Sequence, residues 1–172
     1  MGIEPSMPSQ RNVIGGVIGR SSCAITRPAN TTDYASGDIW SDSTSTPTTP
    51  ELENVARIAG LSGALTDLMV MFSGTTARAF WLYLFREAVT IDNDNAAFSP
   101  TYAELQTLVT LLDSANANSF VTAGGIVYVF EKTRTIKCAA GDASLYPVIE
   151  LRGAYTPESA EVATIVLSPM QD

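Results

Sequence analysis

The chain has 172 residues, 45 % of them apolar, with 10 lysines and arginines against 18 aspartates and glutamates and no histidine. That length fits one domain with a proper core. A formal charge of −8 disfavours nucleic-acid backbones and anionic membranes as partners, and the missing imidazole removes the commonest general base and transition-metal ligand together.

Residues 1–20 are small and polar, with Pro5, Pro8, Gly15, Gly16 and Gly19, and cannot bury enough surface to order alone. They read as a flexible N-terminal arm ahead of a single domain over 21–172. MGIEPS meets the N-myristoylation pattern at Gly2 only loosely and lacks a polybasic patch. GGVIG lacks the lysine of a phosphate loop and reads as linker. No signal-type or 18-residue apolar stretch marks the chain for secretion or membrane insertion.

SSCAIT (21–26) predicts a short strand stopped at Arg27-Pro28. Turn residues follow, and Ile39-Trp40 can rejoin a sheet. Residues 44–50, TSTPTTP, read as a loop, and ELENVARIA (51–59) alternates like a half-buried strand. GALTDLMVMF (63–72) is apolar on more than one face, Met69 and Met71 lying opposite Leu68, Val70 and Phe72. Gly74-Thr75-Thr76 then links it, at hairpin spacing, to ARAFWLYLFRE (77–87).

This last stretch organises the chain. Phe80, Leu82 and Leu84 alternate with Trp81, Tyr83 and Phe85, so a strand here is apolar on both faces. Aromatics bury about 150–250 Å² each, and monomers rarely leave an apolar patch of that size in water. Both faces therefore need cover, the second from the chain's own loops or from a partner subunit.

Residues 91–108 hold the one good helix signal. Ser99 with Pro100 at the first helical position, or Thr101-x-x-Glu104 as a capping box, each suit its start. Asp92 and Asp94 have the opening spacing of a calcium loop, but Ala96 and Ala97 stand where a third ligand and a glycine belong, so the stretch reads as a solvated turn. GIVYVFEK (125–132), TIKCA (135–139, at hairpin spacing), LYPVIELR (145–152, an edge strand by Pro147) and AEVATIVL (160–167) complete the pattern. The expected fold is all-β: a jelly-roll-type β-sandwich of about eight short strands with one short helix, an up-and-down barrel being the alternative.

No reaction chemistry stands out. A Ser-His pair is impossible without histidine, and Lys132 and Lys137 occupy polar strand positions. Glu51, Glu53, Asp67, Glu87 and Glu104 show no spacing that singles out a carboxylate pair. Cys23 and Cys138 are too far apart for a CxxC metal site and fit free thiols of a reducing interior. The expectation is a non-enzyme with no metal and no cofactor.

Two segments, RPANTTDYASGDIWSDS (27–43) and ARAFWLYLFREAVTIDNDNAAFSPTYAEL (77–105), resemble the small structural proteins encoded beside the major capsid protein in tailed-phage genomes. The first matches an Arg-Pro-Ala-(Asn/Asp)-Thr-Thr-x-Tyr-Ala-x-Gly-Asp pattern. The second matches an aromatic strand followed by an acidic D-N-A-F-x-P-T-x-A-E-L stretch, with Tyr83 where tryptophan is expected. The resemblance implies a capsid decoration or cement protein: β-rich, often homotrimeric, bound to the major capsid protein outside the head after assembly in the host cytoplasm. Its contacts would be multivalent and non-covalent, with neither nucleic acid nor membrane as partner. Trp81, Tyr83 and Phe85, with Met69 and Met71, are then the candidate subunit or capsid contacts. The alternative is a carbohydrate-binding or host-recognition module with Trp40 stacking on a sugar ring.

Overall fold

Period-two alternation of apolar residues builds the sandwich. The computed structural model describes residues 17–56, 59–131 and 134–171. In chain order the described strands are β1 (Val17–Ile18), β2 (Ser21–Thr26), β3 (Ile39–Trp40), β4 (Ser62–Phe72), β5 (Phe80–Phe85), β6 (Leu108–Asp113), β7 (Asn118–Thr122), β8 (Gly125–Phe130), β9 (Arg134–Lys137), β10 (Tyr146–Leu151) and β11 (Val162–Gln171). One short helix, α1 (Tyr102–Leu105), precedes β6. All pairings are antiparallel, in a seven-stranded sheet ordered β1-β11-β4-β8-β7, with β2 also on β11 and β9 also on β4, and a four-stranded sheet ordered β3-β10-β5-β6. The all-β sandwich expected from the sequence is the fold the chain adopts.

The two sheets meet along one apolar seam. Leu68, Val70 and Phe72 of β4, Ile126, Tyr128 and Phe130 of β8, and Ile165 and Leu167 of β11 face Phe80, Leu82 and Leu84 of β5 and Ile149 and Leu151 of β10. Phe72, Phe80 and Tyr128 pack edge to face, their ring centroids 4.9–6.1 Å apart. Gly125, at φ +137°, lets the β7–β8 turn press against β4, where a Cβ would lie 2.0 Å from the Phe72 carbonyl oxygen.

Several local expectations are corrected. Val17 and Ile18, assigned to the arm by composition, pair with Gln171 and Met170, so the sheet begins before Ser21. Residues 1–16, which hold the rest of that arm, Gly2 and the start of GGVIG, lie outside the described residues. The 73–79 link is no hairpin: it crosses from one sheet to the other, because β4 pairs with β8, β9 and β11 while β5 pairs with β6 and β10. Nor do the described residues of 51–59 form a strand. Leu52 makes one isolated bridge to Leu145, and Asn54 turns the chain at φ +56° so that Leu52 and Val55 both point inward; Arg57 and Ile58 lie outside the described residues.

β9 pairs with β4 beside β8 instead of closing a hairpin with it. Strand β10 is an edge only near Pro147, since β3 pairs with Ile149 and Glu150 beyond it. Strands β6 and β7 escaped the sequence reading. The first is a β-branched and leucine run beside a helix signal; the second, Asn-Ser-Phe-Val-Thr, has too little apolar alternation to register.

Candidate functional site: a buried arginine cluster and two outer faces

The most highly organised part of the molecule lies at one end of the sandwich. Arg27 follows β2 directly, and its side chain is wholly buried with all five N–H groups used. Nε donates to the Tyr34 hydroxyl (3.1 Å), and Nη1 to the carbonyls of Asn30 (2.6 Å) and Glu158 (3.3 Å). Nη2 donates to Asn30 Oδ1 (3.0 Å) and Asp94 Oδ2 (3.2 Å). Asp94 also accepts from the Tyr34 hydroxyl and from the Ser41 backbone N–H (3.2 Å). Burial, reinforced by the carboxylate of Asp94, raises the Tyr34 phenol and keeps it a donor.

A second buried pair stands beside the first. Arg78, on the crossover between β4 and β5, donates Nη1 to Glu161 Oε1 at 2.5 Å. Its other nitrogens donate to the carbonyls of Thr76 and Gly74. Glu161 further accepts from the Gly74 N–H (3.0 Å), the Tyr155 hydroxyl (2.6 Å) and the Glu158 N–H (3.3 Å). The glycine is required: a Cβ at Gly74 would stand 2.3 Å from Glu161 Oε1. Burial first, and the bond to Glu161 second, raise the Tyr155 phenol.

Trp40 joins the two pairs. The Arg27 and Arg78 guanidinium carbons lie 5.9 Å and 5.6 Å from its ring, Tyr34 stacks on it at 5.7 Å, and Nε1 donates to the Ile25 carbonyl (3.3 Å). At 1 % exposure Trp40 is a core residue, which removes the alternative reading of it as a sugar-stacking platform.

The same geometry corrects the reading of 91–98 as a solvated turn. Asp94 is buried against Arg27, Asp38 bridges to Ala97, and the Ile39 N–H donates to the Ala96 carbonyl (2.8 Å). Segments 27–43 and 77–105, which share a motif resemblance, are thus packed on each other. Sequence spacing hides this because Arg27 and Asp94 stand 67 positions apart. An arginine directly after a strand of small residues was the available signal.

The second face of β5 is sheathed from within. Tyr83 and Phe85 pack with Ile39, Val89, Ile91 and Val148, and Phe98 caps them at ring distances of 5.2 and 6.4 Å. Phe85 is 0 % and Tyr83 8 % exposed, so both are withdrawn as subunit or capsid contacts: the chain's own 86–100 segment supplies the cover. The Tyr83 hydroxyl donates to Glu150 Oε2 (2.5 Å), and burial together with that carboxylate raises its pKa. Trp81 is half-buried; the Arg152 guanidinium lies 3.7 Å from its ring and donates to Glu150 Oε1 (2.7 Å). It remains at the surface, already partnered.

Met69 and Met71 do lie on an outer face, that of the seven-stranded sheet. They are half-buried there opposite Val129 and Val127, and Val127 in turn pairs with the exposed Phe120. A cleft of about 560 Å³ is lined by Ala59, Gly60, Arg86, Glu87 and 137–141. Burial pushes the Cys138 thiol there up to about 11, so it is protonated at neutral pH and a poor nucleophile. Both cysteines are free. Among the described residues, no group of three or more potential metal ligands comes together. No family model matches the chain, and no curated protein matches it.

Proposed function

We propose that this protein is a virion structural protein, a decoration protein that binds the outside of a tailed-phage head and stabilises the shell without catalysis. The observation that carries the reading is the packing of 27–43 on 77–105. The distinctive charged residues of those segments, Arg27, Asp94 and Arg78, are spent on partners inside the fold instead of being offered to a substrate. A sheet face carrying Met69, Met71, Val127 and Val129, with Asp67 as the charge beside them on β4, suits many weak, repeated contacts, whose strengths multiply when several engage one shell. The major capsid protein is the partner in this reading, and the contact falls on the face carrying Met69 and Met71 rather than on β5. The glycan-binding alternative loses its platform with Trp40 in the core.

The test is co-sedimentation of the purified protein with undecorated heads. Saturable binding at a fixed copy number, and heads that survive higher temperature or lower salt, are expected. A protein that ignores heads at saturating concentration would sink the proposal.

A further inference from the structure

Strand edges offer unpaired backbone groups to other chains, and proteins usually blunt them with charge, proline, bulges or cover. Most edges of this sandwich are managed so. β2 has the 42–54 segment beside it, which lines clefts with Arg20–Ser22 and with Ala24–Ile25, and its Ile25 carbonyl is taken by Trp40. β6 ends in Asp113, and Arg134 of β9 hydrogen-bonds to its Thr110. β9 carries Arg134 and Lys137, and β1 and β3 are two residues each.

β7 differs on every count. All five residues are exposed, Phe120 at 52 % and Val121 at 60 %. Among the described residues it pairs only with β8, in unbroken register. It has neither proline nor charge, and no acidic or basic residue occurs between Asp113 and Glu131.

We propose that β7 is a pairing edge for a second copy of this chain. Two β7 strands run antiparallel about a two-fold axis at Phe120 and join two seven-stranded sheets into one. Charge does not bar that occupant at this edge. Copies carrying −8 each repel one another broadly, and this uncharged edge is where they can approach without like charges meeting. The strand is also complementary to itself. With the axis at Phe120, Asn118 faces Thr122 and Phe120 faces Phe120, so polar meets polar and ring meets ring on the outer face, while Ser119 faces Val121 on the other. Phe120 already continues across that face into Val127 and Met71, so pairing extends one apolar band through both copies. The contact stands independently of capsid binding.

Light scattering of the full chain over a dilution series tests it. The expected mass at high concentration is twice that of the chain, and Phe120→Lys is expected to return it to one with an unchanged circular dichroism spectrum. Oxidation of Phe120→Cys is expected to give a covalent dimer, because facing Cα atoms about 4.5–5.5 Å apart suit a disulfide. Thr122→Cys, which faces Asn118 instead, is expected to stay unlinked. A monomer at every concentration, a trimeric mass, or equal cross-linking of both cysteine variants overturns the proposal. Capsid co-sedimentation is read separately, so either idea can fail alone.

Discussion

Arg27 directs its five N–H groups to Tyr34, Asn30, Glu158 and Asp94, and a buried charge so committed punishes the loss of any partner. Asp94→Ala leaves the guanidinium unpaired in the core and is expected to cost about 3–5 kcal/mol. Tyr34→Phe removes one hydroxyl from the same cluster and is expected to cost about 1–3 kcal/mol. Urea unfolding of the two variants checks both values and their order. Glu104 makes a pH prediction. Hydrogen bonds from the Thr90 and Thr101 backbone N–H groups hold its carboxyl down to about 2, and it closes the capping box of α1. A carboxylate depressed on folding stabilises fully above its unfolded pKa, about 4.3, and that contribution fades as pH falls toward the folded value. Glu104→Gln is therefore expected to flatten the stability profile between about pH 4.5 and pH 2, measured by thermal unfolding along that series.

At the scale of elements, β5 shows how a strand apolar on both faces is accommodated without a partner. Its inner residues fill the seam, and Tyr83 and Phe85 on its outer face lie under the segment running from Arg86 to Pro100, anchored within by Asp94. Phe98 is the half-buried lid on Tyr83 and Phe85. Phe98→Ala is expected to cost about 2 kcal/mol, below the ~3–5 of a fully buried phenylalanine, and to raise binding of an apolar dye as the two rings are uncovered. An unchanged dye signal would mean that another part of the segment covers them. The bulge at Thr66 of β4, opposite Ser168 and Pro169, lets β11 carry a proline within a ten-residue strand where the ladder is already interrupted.

For the molecule as a whole, the thiols report how closed the fold is. Burial raises Cys23 to about 12 and Cys138 to about 11, so both are expected to ignore a thiol reagent at neutral pH in the native protein and to react fully after unfolding. Rapid native reaction of either would show an opening of the seam or of the cleft beside Cys138.

The split between what was legible in the residues and what was not follows the range of the forces. Alternation in 63–72, 80–85, 125–130 and 162–167 revealed the strands and the all-β class, because side-chain direction along a strand is a local property. A helix start near Ser99 to Thr101 was marked for the same reason, and of the two candidate caps it is Thr101, with Glu104, that closes the box. Pairing partners were hidden: the short 73–79 link looked like a turn, yet it carries the chain between sheets, since Phe72 and Phe80 are both needed in one seam. The role of Asp94 was misread, and that of Trp40 left open between core and sugar platform, because an indole or a carboxylate looks alike whether solvated or buried. Contacts between residues some fifteen and sixty-seven positions apart, Ile25 with Trp40 and Arg27 with Asp94, settle which it is. Cover for Tyr83 and Phe85 comes likewise from a segment whose acidic composition points to water, and whose path is set by where its few apolar side chains can be buried.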